Sequence, residues 1–385
     1  MTIQEFDAVA LTSALVRLDT RNPSLVPGAP GEMPAVRLLA ELLPQWGFRV
    51  EVQDIESGRA NLVARIGRAG GPVLMFNGHL DVVEAEGMTH DAFGAEVRNG
   101  RLYGRGSADM KAGVAAMCAA AARATRSGLE SEIVVACVAD EEYESMGTRA
   151  LIDAGVRADA AVVTEPTCLA ICPAHRGFVW VELEFRGRAA HGSRYEIGID
   201  AIRHAAAVLS ELDRHERVEL VKREHPLLGR ASLHAATIEG GAGWTTYPDR
   251  CVLRVERRTI PGESPDMVLR EVQDAIARAR STIPDISVDV KLLNAQNPSD
   301  VSPDAPVVRA LESSLTSNSE SVRIEGISAW TDAALLNEAG IPAVCFGPGD
   351  IALAHSPEEW VPVDEIERAT AVLEHLAGSW HRARA

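Results

Sequence analysis

Aromatic residues are scarce in this chain of 385: Phe, Trp and Tyr together make up 4% of it, and Tyr occurs four times. A core of this composition has to be built from Ala, Val, Leu and Ile rather than from stacked rings. Long apolar runs are also missing. None approaches the roughly eighteen residues that cross a bilayer as a helix, so no membrane partner is expected. Positive charge is in deficit, with 38 Lys and Arg against 55 Asp and Glu and a formal net charge of −17. That balance argues against nucleic acid and anionic membranes as partners. It suits a protein that gathers several carboxylates at one place. The six cysteines (Cys118, Cys137, Cys168, Cys172, Cys251, Cys345) are scattered, and the nearest pair, Cys168 and Cys172, lacks C-x-x-C spacing. Neither a zinc knuckle nor a dithiol redox motif is present. Apolar settings such as "VVACVADE" predict reduced, buried thiols in a cytoplasmic protein. The opening "MTIQEFDAVA" has no basic segment followed by an apolar one, so no secretory signal is expected.

The length exceeds one ordinary core and predicts two domains. Residues 1–18 and 33–46 read as amphipathic helices, the second ended by Gly47. "FRVEVQDI" and "NLVARIG" alternate as strands, and "PVLMFNGHLD" is a more apolar, central one. The Gly-rich "GRLYGRGSADMKAG" leads into an Ala-rich helix over 112–124, apolar nearly all round and hence buried. Strand "EIVVACVAD", helix 146–154 and strand "AAVVTEP" follow. Strands alternating with helices predict an α/β fold with a doubly wound, mostly parallel sheet. After Gly177 the rhythm changes. "FVWVELEFRG" alternates strictly, then come helix 199–213, strands "ASLHAATIEGG" and "CVLRVERRTI", helix 264–280 and strand "ISVDVKLL". The order β-α-β-β-α-β predicts a ferredoxin-like α+β unit, inserted at 177–293 into a larger domain made of 1–176 and 294–385. Helices 305–317, 332–339 and 363–379 and the strand "PAVCFGPG" complete the larger domain.

In an open α/β sheet, ligands bind at the carboxyl ends of the strands. The polar residues at those ends are therefore the ones to examine. Strand 72–78 ends in His79-x-Asp81. The Gly-rich loop delivers Asp109 just ahead of a helix. Strand 132–139 ends in Asp140-Glu141-Glu142, strand 160–163 in Thr164-Glu165, and the late strand opens into "GPGDIALAHS" with His355. One such residue alone is ordinarily a solvated loop side chain. Together they would repel, and a pair of divalent cations relieves that cost. His, Asp and Glu without Cys suit Zn²⁺, with Co²⁺ or Mn²⁺ as alternatives. Two metals about 3.5–4 Å apart require a bridging carboxylate and serve amide or ester hydrolysis.

From "LVRLDTRNP" through "GHLDVV", "GRLYGRGSADMKAG", "ADEEYESMGT", "VTEPT", "GRAAHGS", "IEGG", "ERRTIPGE" and "WTDAALL" to "GIPAVCFGPGDIALAHSPEEWV", the chain resembles the M20 metallopeptidases. This is the group of acetylornithine deacetylase, succinyl-diaminopimelate desuccinylase, aminoacylase and carboxypeptidase G. The resemblance implies a zinc-peptidase-like catalytic domain and an inserted dimerisation (lid) domain. It implies that His79 and Glu165 hold one metal, that Glu142 and His355 hold the other, and that Asp109 bridges them. It makes Asp81 the acceptor of the second ring N–H of His79, which fixes the tautomer. Glu141 becomes the general base that takes a proton from the attacking water and passes it to the leaving amine. A division of labour between adjacent glutamates is chemically natural, since both cannot easily face one metal. The Asp109-Met110 peptide is expected to be cis.

In the inserted domain, His191 of "GRAAHGS" matches the family position that reaches a partner subunit's active site and stabilises the oxyanion. That implies a homodimer. Arg258 matches the arginine that grips the substrate carboxylate; as a strand residue it could equally form a sheet-face ion pair. Arg257 points the opposite way. The "GPGD" turn at 347–350 offers backbone N–H groups to the same carboxylate. The other histidines, His175, His204 and His215 among them, read as surface or local-structure residues, and His175-Arg176-Gly177 marks a hinge. Two segments depart from the family pattern. Thr245 stands where many relatives have Asn, and "MTHDAF" lacks the Trp and Pro of deacetylase-like members. The leading expectation is a two-metal hydrolase of an N-acyl amino acid or a similar small carboxylate-bearing amide. The alternatives are a dipeptidase or carboxypeptidase with the same metals, and a non-catalytic metal-binding relative.

Overall fold

Apolar runs without alternation take the centre of the sheet, as burial on both faces requires. A computed structural model, which describes residues 5–383, sets Val73–His79 between Glu132–Val138 and Ala160–Val163, parallel to both. Ala343–Cys345 extends this parallel centre beyond Ala160–Val163. Antiparallel strands flank it. Ala60–Gly67 pairs with Glu132–Val138, and Arg49–Asp54 with Ala60–Gly67. On the other side Ile171–His175, a strand the sequence reading lacks, returns antiparallel to Ala343–Cys345. Its run is short and interrupted by Pro173, which hides a strand pattern.

The Ala-rich helix Ala112–Ala124 is buried on nearly every side and packs against Val363–Ser379 and Ala8–Val16. Small side chains allow that closeness. At Gly113 even a methyl group is too large: a Cβ there would lie 1.9 Å from the Thr164 carbonyl oxygen. The helix read over 1–18 occupies Ala8–Val16, capped by Asp7 accepting from the Ala10 N–H at 2.9 Å. Residues 1–4 of that reading lie outside the described residues. Helix 33–46 is α-helical over Met33–Leu42 and tightens to 3₁₀ over Leu43–Trp46, where Gly47 ends it at φ 90°.

The chain packs as two units. One holds the residues up to Pro173, Val301–Glu325 and those from Thr331 onward; the other holds Ala174–Asp300 and Gly326–Trp330. The rhythm change had put the boundaries at 177 and 293. In the second unit four antiparallel strands lie in the order Ser232–Gly240, Arg250–Thr259, Gly177–Arg186, Ser287–Gln296. Helices Ala201–Val218 and Pro265–Thr282 cover one face. Val179, Val181, Leu183 and Phe185 point into this core, while Phe178, Trp180, Glu182 and Glu184 alternate with them on the other side. The first helix outruns the expected 199–213 because its buried stripe continues through Leu212 and His215. His175, His204 and His215 are buried, which corrects a surface reading for these three.

Candidate metal centre

His79, Asp81, Asp109, Glu141, Glu142, Glu165 and His355, from separate strand ends and loops, come together in the first unit. His79 closes the strand Val73–His79, and its Nε2 lies 3.1 Å from Asp109 Oδ1. Asp109 sits in an irregular turn, Ser107–Lys111, and the Asp109-Met110 peptide is cis. On its other side Asp109 Oδ2 lies 3.5 Å from His355 Nε2, which in turn is 3.0 Å from Glu142 Oε2. Glu165 follows the strand Ala160–Val163 directly. His79, Asp109 and Glu165 each offer one ligand atom within 4.8 Å of the others, and Asp109, Glu142 and His355 form a second such group. Asp109 belongs to both groups, the position a bridging carboxylate has to occupy. Glu141 belongs to neither; its Oε2 stands 3.9 Å from His79 Nε2.

The electrostatics describe a shortage of positive charge. Burial raises the pKa of Glu141 and Glu165 well above the usual carboxylate range and raises that of Glu142, with neighbouring carboxylates adding to each. Burial alone would keep both imidazoles neutral, yet the surrounding carboxylates outweigh it. His79 is raised well above its ordinary value, and His355 is raised to about 11. Burial would raise Asp109 too, but His355 and His79 hold it well below the usual range. Asp332, buried nearby, is pushed up to about 6 by desolvation although Thr148 donates to it at 2.6 Å. Two imidazoles among this many buried carboxylates form a donor set suited to hold divalent cations.

The loop that carries Glu141 and Glu142 has no strand or helix to satisfy its backbone, so its N–H groups must find other acceptors. Asp140 N–H donates to Glu32 at 3.1 Å, and Glu141 and Glu142 N–H donate to the two carboxylate oxygens of Asp81, each at 3.2 Å. Glu144 and Met146 donate to Asp140 Oδ2, and Tyr143 and Ser145 to the Asp140 carbonyl. Asn22 Nδ2 bridges Asp81 and Asp140 at 2.8 and 2.9 Å. Arg59 pairs with Asp140 at 2.5 Å and with Glu32. A separate brace holds the Asp109 turn: Glu359 accepts from the Ala108 and Asp109 N–H groups and pairs with Arg105 at 2.7 Å.

This network corrects one expectation. The ring Nδ1 of His79 was assigned to the Asp81 carboxylate, but it lies 3.0 Å from the Asp81 backbone carbonyl and 3.6 Å from Oδ1. The carboxylate is turned to the Glu141–Glu142 amides instead. The "GPGD" expectation also changes, because Gly347 N–H already donates to Thr167 Oγ1 and Gly349 N–H to Glu365. His191 and Arg258 lie in the second unit. His191 is exposed, with Nδ1 2.8 Å from Ser193 Oγ. Arg258 pairs with Glu256 at 2.9 Å and stacks over Phe178. Arg257 points the other way, fully buried against Glu263. The sequence reading missed Asn22, Glu32, Arg59, Arg105, Asp332 and Glu359. Four of these stood inside quoted motifs without a role assigned, Asn22 in "LVRLDTRNP", Arg105 in "GRLYGRGSADMKAG", Asp332 in "WTDAALL" and Glu359 in "GIPAVCFGPGDIALAHSPEEWV"; Glu32 and Arg59 carried no local signal.

Residues 75–379 match the model of "Peptidase family M20/M25/M40". Acetylornithine deacetylase of Myxococcus xanthus is 32% identical over 339 residues, covering 85% of this chain and 87% of that protein. N-formyl-4-amino-5-aminomethyl-2-methylpyrimidine deformylase of Bacillus subtilis is 27% identical over 375 residues, 89% of this chain and 88% of that one. Among solved structures, a dinuclear metal binding peptidase of the M20 family from Bacillus subtilis superposes with a TM-score of 0.75 at 17% identity, covering 98% of each chain.

Proposed function

The chain belongs to peptidase family M20/M25/M40 and is a hydrolase of C–N bonds, and from that premise we propose that it cleaves the amide of an N-acyl amino acid or a similar small carboxylate-bearing amide, with two divalent cations at the Asp109 centre. The observation that carries the reading is the pair of ligand groups sharing Asp109, with Glu141 beside them and outside both. Two imidazoles, three carboxylates and no thiolate suit Zn²⁺, and Co²⁺ or Mn²⁺ less well. His79 and Glu165 would hold one ion, Glu142 and His355 the other, and Asp109 both. When bound, the ions supply Lewis acidity to the scissile carbonyl and to the attacking water.

Glu141 takes a proton from that water and returns it to the leaving nitrogen. Its burial and its place beside both ligand groups but outside them favour the role. Arg258 grips the substrate carboxylate. It is already held by Glu256 and backed by Phe178, so little freedom is lost on binding. The deacetylase and deformylase relatives support a small acyl group as the part released.

The chain acts as a homodimer through its second unit, with His191 stabilising the oxyanion in the partner's site. Support comes from the strand Ser232–Gly240, which ends its sheet with an exposed face, and from exposed Tyr195, Ile197, Ile202, Ile238 and Trp244 on the same unit. Six free cysteines, and no described helix long and apolar enough to cross a membrane, fit the cytoplasm as the setting.

The test is metal analysis of the purified protein, with hydrolysis of N-acetyl, N-formyl and N-succinyl amino acids and of dipeptides measured before and after chelation. Two ions per chain and chelator-sensitive release of an acyl group are expected. Fewer than one ion per chain without such hydrolysis excludes the metal reading, and turnover of dipeptides alone excludes the acyl substrate.

A further inference from the structure

We propose that Arg59 is a positioning residue for this reaction, acting through Glu32, Asp140 and Asp81 to set the loop that presents Glu141 and Glu142. The inference rests on the roles given to those two glutamates above.

Three carboxylates, those of Glu32, Asp81 and Asp140, are completely buried around this loop. Between them they accept the N–H groups of Asp140, Glu141, Glu142, Glu144 and Met146. The loop is thus shaped by side-chain acceptors where a helix or sheet would ordinarily do the work. Its backbone takes positive φ at Asp140 (67°) and Ser145 (56°), which a free loop of such residues rarely holds. Arg59 joins two of the three carboxylates directly, and reaches the third through Asn22. It pairs with Glu32 through Nε and Nη2, and through Nη1 with Asp140. The same Nη1 lies 3.3 Å from Asn22 Oδ1, and the amide of Asn22 then reaches both Asp81 and Asp140. One planar fork therefore orients the whole set. A lysine point charge cannot address two carboxylates and an amide in that geometry.

The arrangement is one-sided. His79 and Glu165 stand at the ends of paired strands, and the Asp109 turn is braced by Glu359 and Arg105. None of these three depends on Arg59. Loss of Arg59 should therefore disturb Glu142 and Glu141 while sparing the His79–Glu165 side. General destabilisation would weaken both ion sites together.

Arg59→Met and Arg59→Lys in the full chain test this. The readouts are stepwise Zn²⁺ affinity of chelator-treated protein by calorimetry, thermal stability, and kcat and KM on the best N-acyl amino acid. For Arg59→Met the first ion should bind within about 3-fold of wild type and the second at least about 10-fold more weakly. At saturating Zn²⁺, kcat should fall about 100-fold with KM nearly unchanged. Arg59→Lys should recover part of the second-ion affinity. If Arg59→Met does not fold, Glu32→Gln, which frees one side of the fork, should show the same asymmetry at smaller size. Equal weakening of both ions, or unchanged affinities and kcat beside a two-ion wild type, overturns the role of Arg59 alone. A wild type that binds fewer than two ions brings down this inference together with the metal reading.

Discussion

His79 turns its Nδ1 toward the backbone carbonyl of Asp81, 3.0 Å away, and not toward the Asp81 carboxylate at 3.6 Å. The carbonyl thus fixes the tautomer, and the carboxylate is free to receive the Glu141 and Glu142 amides. Asp81→Asn separates the two jobs. The carbonyl survives, so the first ion should lose no more than about 3-fold in affinity. An amide replaces one acceptor of the loop, so kcat should fall about 10- to 100-fold. Stepwise metal titration beside steady-state kinetics reads both. A loss confined to the first ion would return the ring N–H to the carboxylate.

Glu141→Gln keeps the backbone N–H bonded to Asp81 and leaves both ligand groups complete. Two ions should remain bound while kcat drops about 10²- to 10⁴-fold, the range for losing a general base. Metal analysis and single-turnover kinetics decide it. Turnover above a tenth of wild type would remove Glu141 from that role.

Arg257 and Arg258 are neighbours with opposite fates. Arg258→Ala breaks a partly exposed pair with Glu256, so stability should change by less than about 1 kcal/mol. Activity should fall about 100-fold on substrates with a free carboxylate and little on their amidated analogues. Arg257→Ala takes one of two arginines from buried Glu263, which keeps Arg223 at 2.9 Å, and should cost about 1.5–3 kcal/mol. Urea unfolding and paired substrates distinguish them.

His175 donates Nδ1–H to the Arg176 carbonyl at 3.0 Å, its Nε2 has no partner, and burial lowers its pKa to about 4. In the unfolded chain the ring titrates near its ordinary value of about 6.5. Between these values the unfolded state binds more protons. Stability is therefore full above about pH 6.5, falls as the pH drops toward 4 and levels off below, by on the order of 3 kcal/mol in all. His175→Asn keeps a donor and removes the titration. The difference in unfolding free energy between wild type and variant should shrink from pH 7.5 to 5. A constant difference would contradict the assignment.

Much of this architecture could be read from local pattern. The parallel centre announces itself as unbroken apolar runs, the second unit as strict alternation, and most of the candidate metal ligands as polar residues where those runs stop. What could not be read lies in contacts between distant positions. Asn22 meets Asp140 across 118 residues, and Glu32 meets Arg59 across 27. "ESGRANL" gives no hint that its arginine is buried. The pattern His79-x-Asp81 carries no information on whether a neighbour's carboxylate or carbonyl is the nearer acceptor. His204 and His215 were misread because a histidine on an amphipathic helix can close the core stripe when a carboxylate waits there, as Glu271 does 3.3 Å from His215.

Gly113 gives the Ala-rich helix a meaning beyond packing. Any side chain at that position must push the carbonyl of Thr164, whose next neighbour is Glu165. Inheritance at position 113 is thereby tied to chemistry at position 165. A mutational screen scored on activity would rank this glycine with the candidate ligands, although it has no side chain to offer an ion.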